Sequence, residues 1–440
     1  MAARGQAGGP AADLPRHFAE EMGRLTGPDF PKHLVLAVSG GGDSMAMLYL
    51  AAPWARVMGI TLYVCTVDHG LREDAAEEAA LVARACAELG LFHQTLDWRW
   101  DRQGNLQEAA REGRLDAIMR WKGAVRHVLM AHTEDDQAET FLLRLARGSG
   151  VDGLSGMAPR AERMQGMRMD PLHAHPDGPP WPPTFEGGMV ILRPLLGVSR
   201  VALRHYLTVL KIEHVDDPTN DDPRFDRVKV RRALPALAEL GLTTERLAAT
   251  AAHMERAREA LMVRARAADA ACRLAEGRMI SDVVYDRDAF ATLERETQLR
   301  LLAAAVQYVA DQPQRPRLAA LETALDRASA GGATTLHGAY ILPHKARLFV
   351  CPEYERIKDM RPEGGYWRGR FFVGEKDIRP LGVAGAAQLR DETDLPARVL
   401  WPAPALWDGD RVLASPRIGH NPHWNPESWG RGYTALLTSR

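Results

Sequence analysis

The sequence predicts an α/β protein, with a Rossmann-like parallel sheet over residues 31–240. A mainly helical region follows at 241–355, then a small β-rich module at 356–440, while residues 1–30 form an N-terminal extension. Three observations predict this. Between residues 34 and 148, short apolar runs alternate with amphipathic segments, the βα order of a parallel sheet covered on both faces. Each notable polar motif falls just past an apolar run, at the carboxyl edge where such sheets bind ligands. Beyond residue 242 the chain turns Ala-, Arg- and Leu-rich with helical spacing, and from about residue 365 it turns to Trp, Gly and Pro around short apolar runs.

Strands are expected at 34–38, 60–67, 92–96 and 127–130, and helices at 44–52, 73–89, 106–121 and 134–145. Residues 161–188, which include HAHPDGPPWPP, read as an irregular loop. An apolar strand-like run resumes at 190–195, and 199–210 reads as a helix opened by a serine cap. Helices are expected at 244–273, 286–310 and 317–330, followed by three short β-like runs ending near Val350.

Composition sets wide limits. A chain of 440 residues exceeds what one core serves, and its net charge of −1 provides no global field for nucleic acid, so any basic surface must be local. The four cysteines, Cys65, Cys86, Cys272 and Cys351, form no CxxC pair and read as reduced thiols. No apolar stretch has the length of a membrane span, and residues 1–15 lack the apolar core of a signal peptide, so a cytoplasmic protein with no membrane partner is expected.

The most informative stretch is LVLAVSGGGDSMAMLYL, residues 34–50. A buried strand, a glycine turn and a helix start together make an anion site. Gly40, Gly41 and Gly42 let backbone approach a ligand, and the free N–H groups at the helix start favour negative charge. Ser39 and Ser44 add hydroxyl donors. Asp43 set against phosphate makes sense when a cation such as Mg²⁺ lies between them, which points to a nucleotide triphosphate. The lysine of a Walker loop is absent. SGGGDS resembles the loop of the N-type ATP pyrophosphatases, which act on the α-phosphate and release pyrophosphate.

Other motifs lie at the same edge. In VDHGLR, Asp68, His69 and Arg72 are placed to contact a nucleotide; alternatively, Gly70 makes a turn that Asp68 caps. In NLQEAAREGRL, Arg111 and Arg114 share a helix face suited to phosphate, or form a solvated charged face with Glu108. In AHTEDDQAET, Asp136 and Glu139 stand three apart on one face, while Asp135 points elsewhere to cap or pair. Acidic residues suit a first helical turn for dipole reasons alone, but a metal or a cationic amine would need the same carboxylates.

SGGGDS, VDHGLR, NLQEAAREGR, AHTEDDQAET with RLARGSGVDGLSGM, LRPLL and DPTNDDPRFDRVKVR occur in order, and over about residues 34–237 the chain resembles the tRNA(Ile)-lysidine synthase family. The resemblance makes 31–240 an N-type ATP pyrophosphatase catalytic domain and 241–355 a tRNA- or substrate-binding domain. It implies a ligase that uses ATP to join L-lysine to the wobble cytidine of a CAU-anticodon isoleucine tRNA, through an adenylated base. On that basis Ser39, Gly40, Gly41, Gly42, Asp43, Ser44, Asp68 and His132 bind ATP, with Mg²⁺ on Asp43. Asp136 and Glu139 match the lysine-binding pair, and Asp43, Arg111, Asp136, Glu139 and Arg193 carry catalysis. His132 is placed either to touch the nucleotide and relay a proton, or as a packed histidine.

Three positions depart from the family pattern: Thr133 replaces a frequent second histidine, Leu115 a frequent aromatic residue and Val228 a common Asn. For tRNA, the basic run Arg224, Arg227, Lys229, Arg231 and Arg232, with Phe225 for stacking, is the expected contact. Arg256, Arg258, Arg264 and Arg266 are a second candidate, or an ordinary helix surface. A homodimer is left open. A tRNA thiolase is the rival reading, disfavoured by the lack of a cysteine pair near SGGGDS. A non-catalytic RNA-binding protein is disfavoured by the acidic pair facing a phosphate loop.

Overall fold

The computed structural model describes residues 13–68, 70, 75–100, 106–163, 188–216, 226–274, 282–312, 314–364, 366–368, 371–373, 376–421 and 427–428. The chain forms two units, Met1–Arg258 and Glu259–Ser439.

In the first unit the order is α1 (Leu14–Thr26), β1 (His33–Ala37), α2 (Gly42–Met58), β2 (Thr61–Asp68), α3 (Ala75–Leu89) and β3 (Phe92–Asp97). Then come α4 (Leu106–Trp121), β4 (His127–Met130), α5 (Glu134–Ala146), α6 (Val151–Leu154), β5 (Arg160–Arg163) and β6 (Met189–Leu192). Helices α7 (Arg200–Leu210), α8 (Asp226–Glu239) and α9 (Thr244–Cys272) complete it, the division between units falling within α9. The six strands lie in the order β3-β2-β1-β4-β6-β5, all parallel except β5 against β6.

Because β2 and β3 extend the sheet to one side of β1 and β4 starts the other, the order reverses between β1 and β4. Crevices at the carboxyl ends of strands form at such reversals. The glycine turn follows β1, and the acidic motif follows β4, so the topology delivers both to one crevice.

Strand β1 shows why the sheet is covered on both faces. Leu34 and Leu36 enter a core with Phe18, Met22, Met47, Leu203 and Leu207, whereas Val35 enters another with Tyr63, Ile118 and Met119. Alternate residues of one strand thus feed two cores, as the two-residue side-chain period requires. Truncating Leu34 or Leu36 to alanine would cost about 2–5 kcal/mol. Leu115 lies in the second core, where an aliphatic side chain fills the space without an aromatic ring.

Four details differ from the sequence expectations. Residues 14–26 of the extension form α1, whose Leu14, Phe18, Met22 and Leu25 are buried at helical spacing, with Phe18 edge-on to Trp54 at 5.9 Å. Residues 160–163 open the expected loop as an edge strand, because pairing with β6 satisfies its backbone while Arg160 and Glu162 face outward; residues 164–187 lie outside the described set. The expected 190–195 strand ends at Leu192, and a turn begins at Pro194. The helix expected over 286–310 is divided, as described next.

In the second unit, β7 (Val283–Asp286) leads into α10 (Arg287–Ala291), then α11 (Arg295–Ala310). Asp286 caps α10 by accepting from the Ala289 amide at 2.8 Å, and Glu294 starts α11, so three residues intervene. After α12 (Leu318–Ser329) come β8 (Thr334–Leu336), β9 (Ala339–His344) and β10 (Arg347–Pro352), the three expected short strands. They join β7 in an antiparallel sheet ordered β7-β10-β9-β8, against which α11 and α12 bury Leu301, Leu302, Leu321 and Leu325. Two three-stranded antiparallel sheets follow, with strands between Tyr366 and Ser428. The mainly helical region and the β-rich module are thereby borne out. No helix among the described residues is long and apolar enough to cross a membrane.

Candidate active site

The turn between β1 and α2 is tied down from within. Ser44 donates its hydroxyl to the Gly41 carbonyl at 2.9 Å and accepts the Ser39 amide at 3.1 Å, with the two serine hydroxyls 3.2 Å apart. Gly40 adopts φ +87°, a left-handed conformation that disfavours any side chain. Its carbonyl accepts from the Val215 amide at 3.0 Å, pinning the turn to the chain beyond α7. A Cβ on Gly42 would lie 3.0 Å from Nε of Arg204. The start of α2 is therefore bare backbone with N–H groups directed outward, an anion cradle.

Asp43, in the first turn of α2, has one oxygen engaged: Arg200 donates from Nε to Oδ2 at 3.1 Å. Its Oδ1 is buried with no hydrogen-bond partner. Burial raises the Asp43 pKa above the ordinary carboxylate value; Arg200 opposes this and the Asp136 charge adds to it. A buried carboxylate oxygen without a donor beside a phosphate cradle is the chemistry of a hard divalent cation's ligand, so Asp43 fits Mg²⁺.

Helix α5 opens with a capping box. Thr133 donates its amide and hydroxyl to Oδ2 of Asp136 at 2.9 and 3.0 Å, and its oxygen accepts the Asp136 amide. That is why Thr133, fully buried, stands here: its short hydroxyl holds Asp136 in place. Asp135 caps the neighbouring helix, accepting the Arg200 amide at 2.7 Å, which bears out its expected capping role.

One guanidinium joins these carboxylates. Arg200 lies 3.1 Å from Asp43, 3.5 Å from Asp136 and 3.6 Å from Glu139. Burial opposes its charge, but the three carboxylates outweigh burial and raise its pKa. From α8, Arg231 contacts Glu139 through Nε at 2.5 Å and Nη2 at 3.3 Å, and Arg227 reaches Asp136 at 3.8 Å. Glu139 has no exposed side-chain surface.

On the other side of Asp136 lies a cationic group. Arg193 donates from Nε to Nδ1 of His132 at 3.2 Å and from Nη1 to the Ala158 carbonyl at 2.6 Å. Accepting at Nδ1 leaves the proton on Nε2, the neutral ring. Burial, with Arg193 next, lowers the His132 pKa to about 3. For Asp136, burial acts upward but is outweighed by Arg200, the Thr133 amide and Arg227, so its pKa falls. Arg114 is depressed by burial, then by the charges of Arg227 and Arg111, which brings these arginines into one field.

The structure thus unites Ser39, Gly40, Gly41, Gly42, Asp43, Ser44, Asp136 and Glu139, with His132 and Arg193 alongside. Asp68, at the end of β2, accepts the Gly70 amide at 2.7 Å, the turn-capping alternative; His69 and Arg72 lie outside the described residues. Of the expected RNA contacts, Arg227 and Arg231 turn toward the acidic pair, Lys229 pairs with Asp226 at 2.9 Å, and Arg224 and Phe225 lie outside the described residues. Val228 is buried in α8. On α9, Arg258 pairs with Glu255 and Arg264 with Glu294.

Sequence reasoning missed Arg200. A signal existed: α7 begins with an arginine and carries no acid in its first turn, against the dipole preference, unless carboxylates lie nearby.

Residues 14–237 match the family model described as a PP-loop domain. A tRNA(Ile)-lysidine synthase from Ruegeria pomeroyi (strain ATCC 700808 / DSM 15171 / DSS-3) is 39% identical over 429 residues, covering 95% of each chain. The chain belongs to the tRNA(Ile)-lysidine synthase family. Another family member, from Bradyrhizobium diazoefficiens, is 42% identical over 314 residues, 68% of this chain and 80% of its own. Among solved structures, a U34-tRNA thiolase from Methanococcus maripaludis matches with a TM-score of 0.41 and 15% identity, covering 55% of this chain and 78% of its own. Family membership makes the chain an ATP-using ligase that forms a carbon–nitrogen bond, and the PP-loop is its ATP-binding element.

Proposed function

We infer that the chain joins L-lysine to the wobble cytidine of a CAU-anticodon isoleucine tRNA at the expense of ATP, releasing AMP and pyrophosphate. The observation that supports this best is the reach of Arg200: one guanidinium touches the carboxylate of the phosphate turn and both carboxylates of the acidic pair. A span that small suits one bridging intermediate, with pyrophosphate leaving on one side and an amine arriving on the other.

In this reading the turn from Ser39 to Ser44, braced by the Ser39 amide and the Ser44 hydroxyl, receives the β- and γ-phosphates on the backbone amides at the start of α2. Asp43 would hold Mg²⁺, which when bound neutralises phosphate charge. The cytosine carbonyl oxygen attacks the α-phosphate, and Arg193, Arg114 and Arg111 supply the field that favours the charge gathering there. The lysine side-chain ammonium sits against Asp136 and Glu139. Its proton must leave before the nitrogen can attack the activated ring carbon, and a carboxylate accepts it. His132, neutral and with Nδ1 engaged, is built to hold Arg193 rather than to carry charge.

Sulfur transfer fits less well. All four cysteines are buried, and burial pushes the Cys86 thiol up to about 12 and the Cys272 thiol to about 11, far from a reactive thiolate. Residues Arg224, Arg227, Lys229 and Arg231 remain the proposed tRNA contacts, with Arg231 joining them once it leaves Glu139. The decisive experiment is ATP- and enzyme-dependent incorporation of labelled lysine into CAU-anticodon isoleucine tRNA. Label in the RNA is expected; no label, with labelled sulfur entering instead, overturns the reading.

A further inference from the structure

We propose that Arg231 is an internal occupant of the amine seat, its guanidinium filling the place on Glu139 that the side-chain ammonium of lysine takes over. The proposal rests on Asp136 and Glu139 being that seat.

Charge balance comes first. Three carboxylates, Asp43, Asp136 and Glu139, face three guanidiniums, Arg200, Arg227 and Arg231. The cluster is compensated before any substrate enters. An incoming ammonium therefore gains little by joining it and much by replacing one of its cations.

Geometry then selects which cation leaves. Arg200 touches all three carboxylates, and its own amide is held by Asp135, so its position is fixed at several points. Arg227 stands 3.8 Å from Asp136 and makes the weakest of these contacts. Arg231 makes a two-pronged contact with Glu139, through Nε to Oε1 and Nη2 to Oε2. Glu139 has no exposed side-chain surface, and Arg231 is the cation in closest contact with it, so an ammonium that reaches Glu139 must take the place of that fork. A long cation seated on a buried acid is a mimic of the substrate's own amine.

The consequence is competition within the molecule. Lysine binds only the fraction of sites that Arg231 has vacated, so its apparent affinity is lowered by that fraction. The removal of Arg231 should tighten lysine binding, the opposite of what the loss of an orienting residue does.

The test uses the full chain with ATP and CAU-anticodon tRNA, comparing the parent with Arg231→Gln and Arg231→Lys. For Arg231→Gln the lysine KM is expected to fall about tenfold, as for an internal competitor holding about nine-tenths of the sites. L-Arginine, which carries the same fork as Arg231, should become a competitive inhibitor against lysine at concentrations about tenfold below those needed with the parent. Arg231→Lys, which keeps the charge but not the fork, should fall between. A lysine KM in Arg231→Gln that is unchanged or raised, with no gain in arginine inhibition, overturns the proposal and makes Arg231 an orienting residue for Glu139. The parallel variant Glu139→Gln separates the two levels. Should it leave the lysine KM untouched, the seat itself is misassigned; should it raise KM while Arg231→Gln fails to lower it, only the internal occupant is lost.

Discussion

Arg200, the first residue of α7, donates from Nε to Oδ2 of Asp43, the second residue of α2, at 3.1 Å. Two helix starts that repel each other as dipoles are joined by opposite side-chain charges. Asp43 is thereby compensated on one oxygen and left with a second, Oδ1, that is buried and without a donor.

That second oxygen makes Asp43 the residue whose loss should stop both chemical steps. Asp43→Ala is expected to lower tRNA-dependent pyrophosphate release and lysine incorporation together, by about 100-fold or more. Parallel assays of the two products check this; near-parent rates in both would remove Asp43 from the mechanism.

Glu139→Gln should act later. Pyrophosphate release is expected to stay within a few-fold of the parent, while the lysine KM rises about 10–100-fold, the scale of one charge-assisted contact. Single-turnover measurement with pre-adenylated tRNA would separate the steps.

Removing the cap of α5 is a stability test. Thr133→Ala deletes the hydroxyl that bonds Asp136 and should cost about 1–2 kcal/mol in urea unfolding of the first unit. It should also weaken lysine use, since Oδ2 of Asp136 loses one of its two anchors.

Two histidines predict acid sensitivity. Burial, aided by neighbouring arginines, lowers His132 to about 3 and His127 to about 4. Unfolded histidine takes up a proton near pH 6.5, so the stability these rings contribute is complete above that value and is lost as pH falls from about 6.5 toward 4. Denaturant midpoints measured from pH 7.5 to 4.5 should decline over this window, and His127→Gln should flatten the decline.

A buried lysine carries the opposite lesson. Burial lowers Lys122 to about 8 from 10.5, so its penalty is full below pH 8 and fades as pH rises toward 10.5. Lys122→Met should raise the unfolding midpoint at pH 7, with the gain shrinking to nothing by pH 10.5.

Much of the fold could be read from the chain because its signals are local. The run from Leu34 to Leu50 contains its strand, turn and helix in consecutive residues, and Asp136 and Glu139 share a face by spacing alone. The role of Arg200 was hard to read for the converse reason: its only local sign is an arginine at a helix start, and its partner Asp43 lies 157 residues earlier, brought near by the β1–β4 reversal. Arg231 sits in a basic run and reads as an RNA contact, yet its partner Glu139 is 92 residues away. Helix α1 was legible in principle, since Leu14, Phe18, Met22 and Leu25 recur at helical intervals, but its position ahead of the first strand disguised it as an extension.

The Asp136 carboxylate performs two tasks with one group. Oδ2 is consumed in starting α5, which leaves Oδ1 alone facing Arg200 and Arg227. A side chain one methylene longer could still close the capping box but would displace the second oxygen that faces Arg200 and Arg227, and an amide would keep the start while forfeiting the charge. This position therefore tolerates neither glutamate nor asparagine, and drift at residue 133 is confined to side chains that can still donate to a carboxylate.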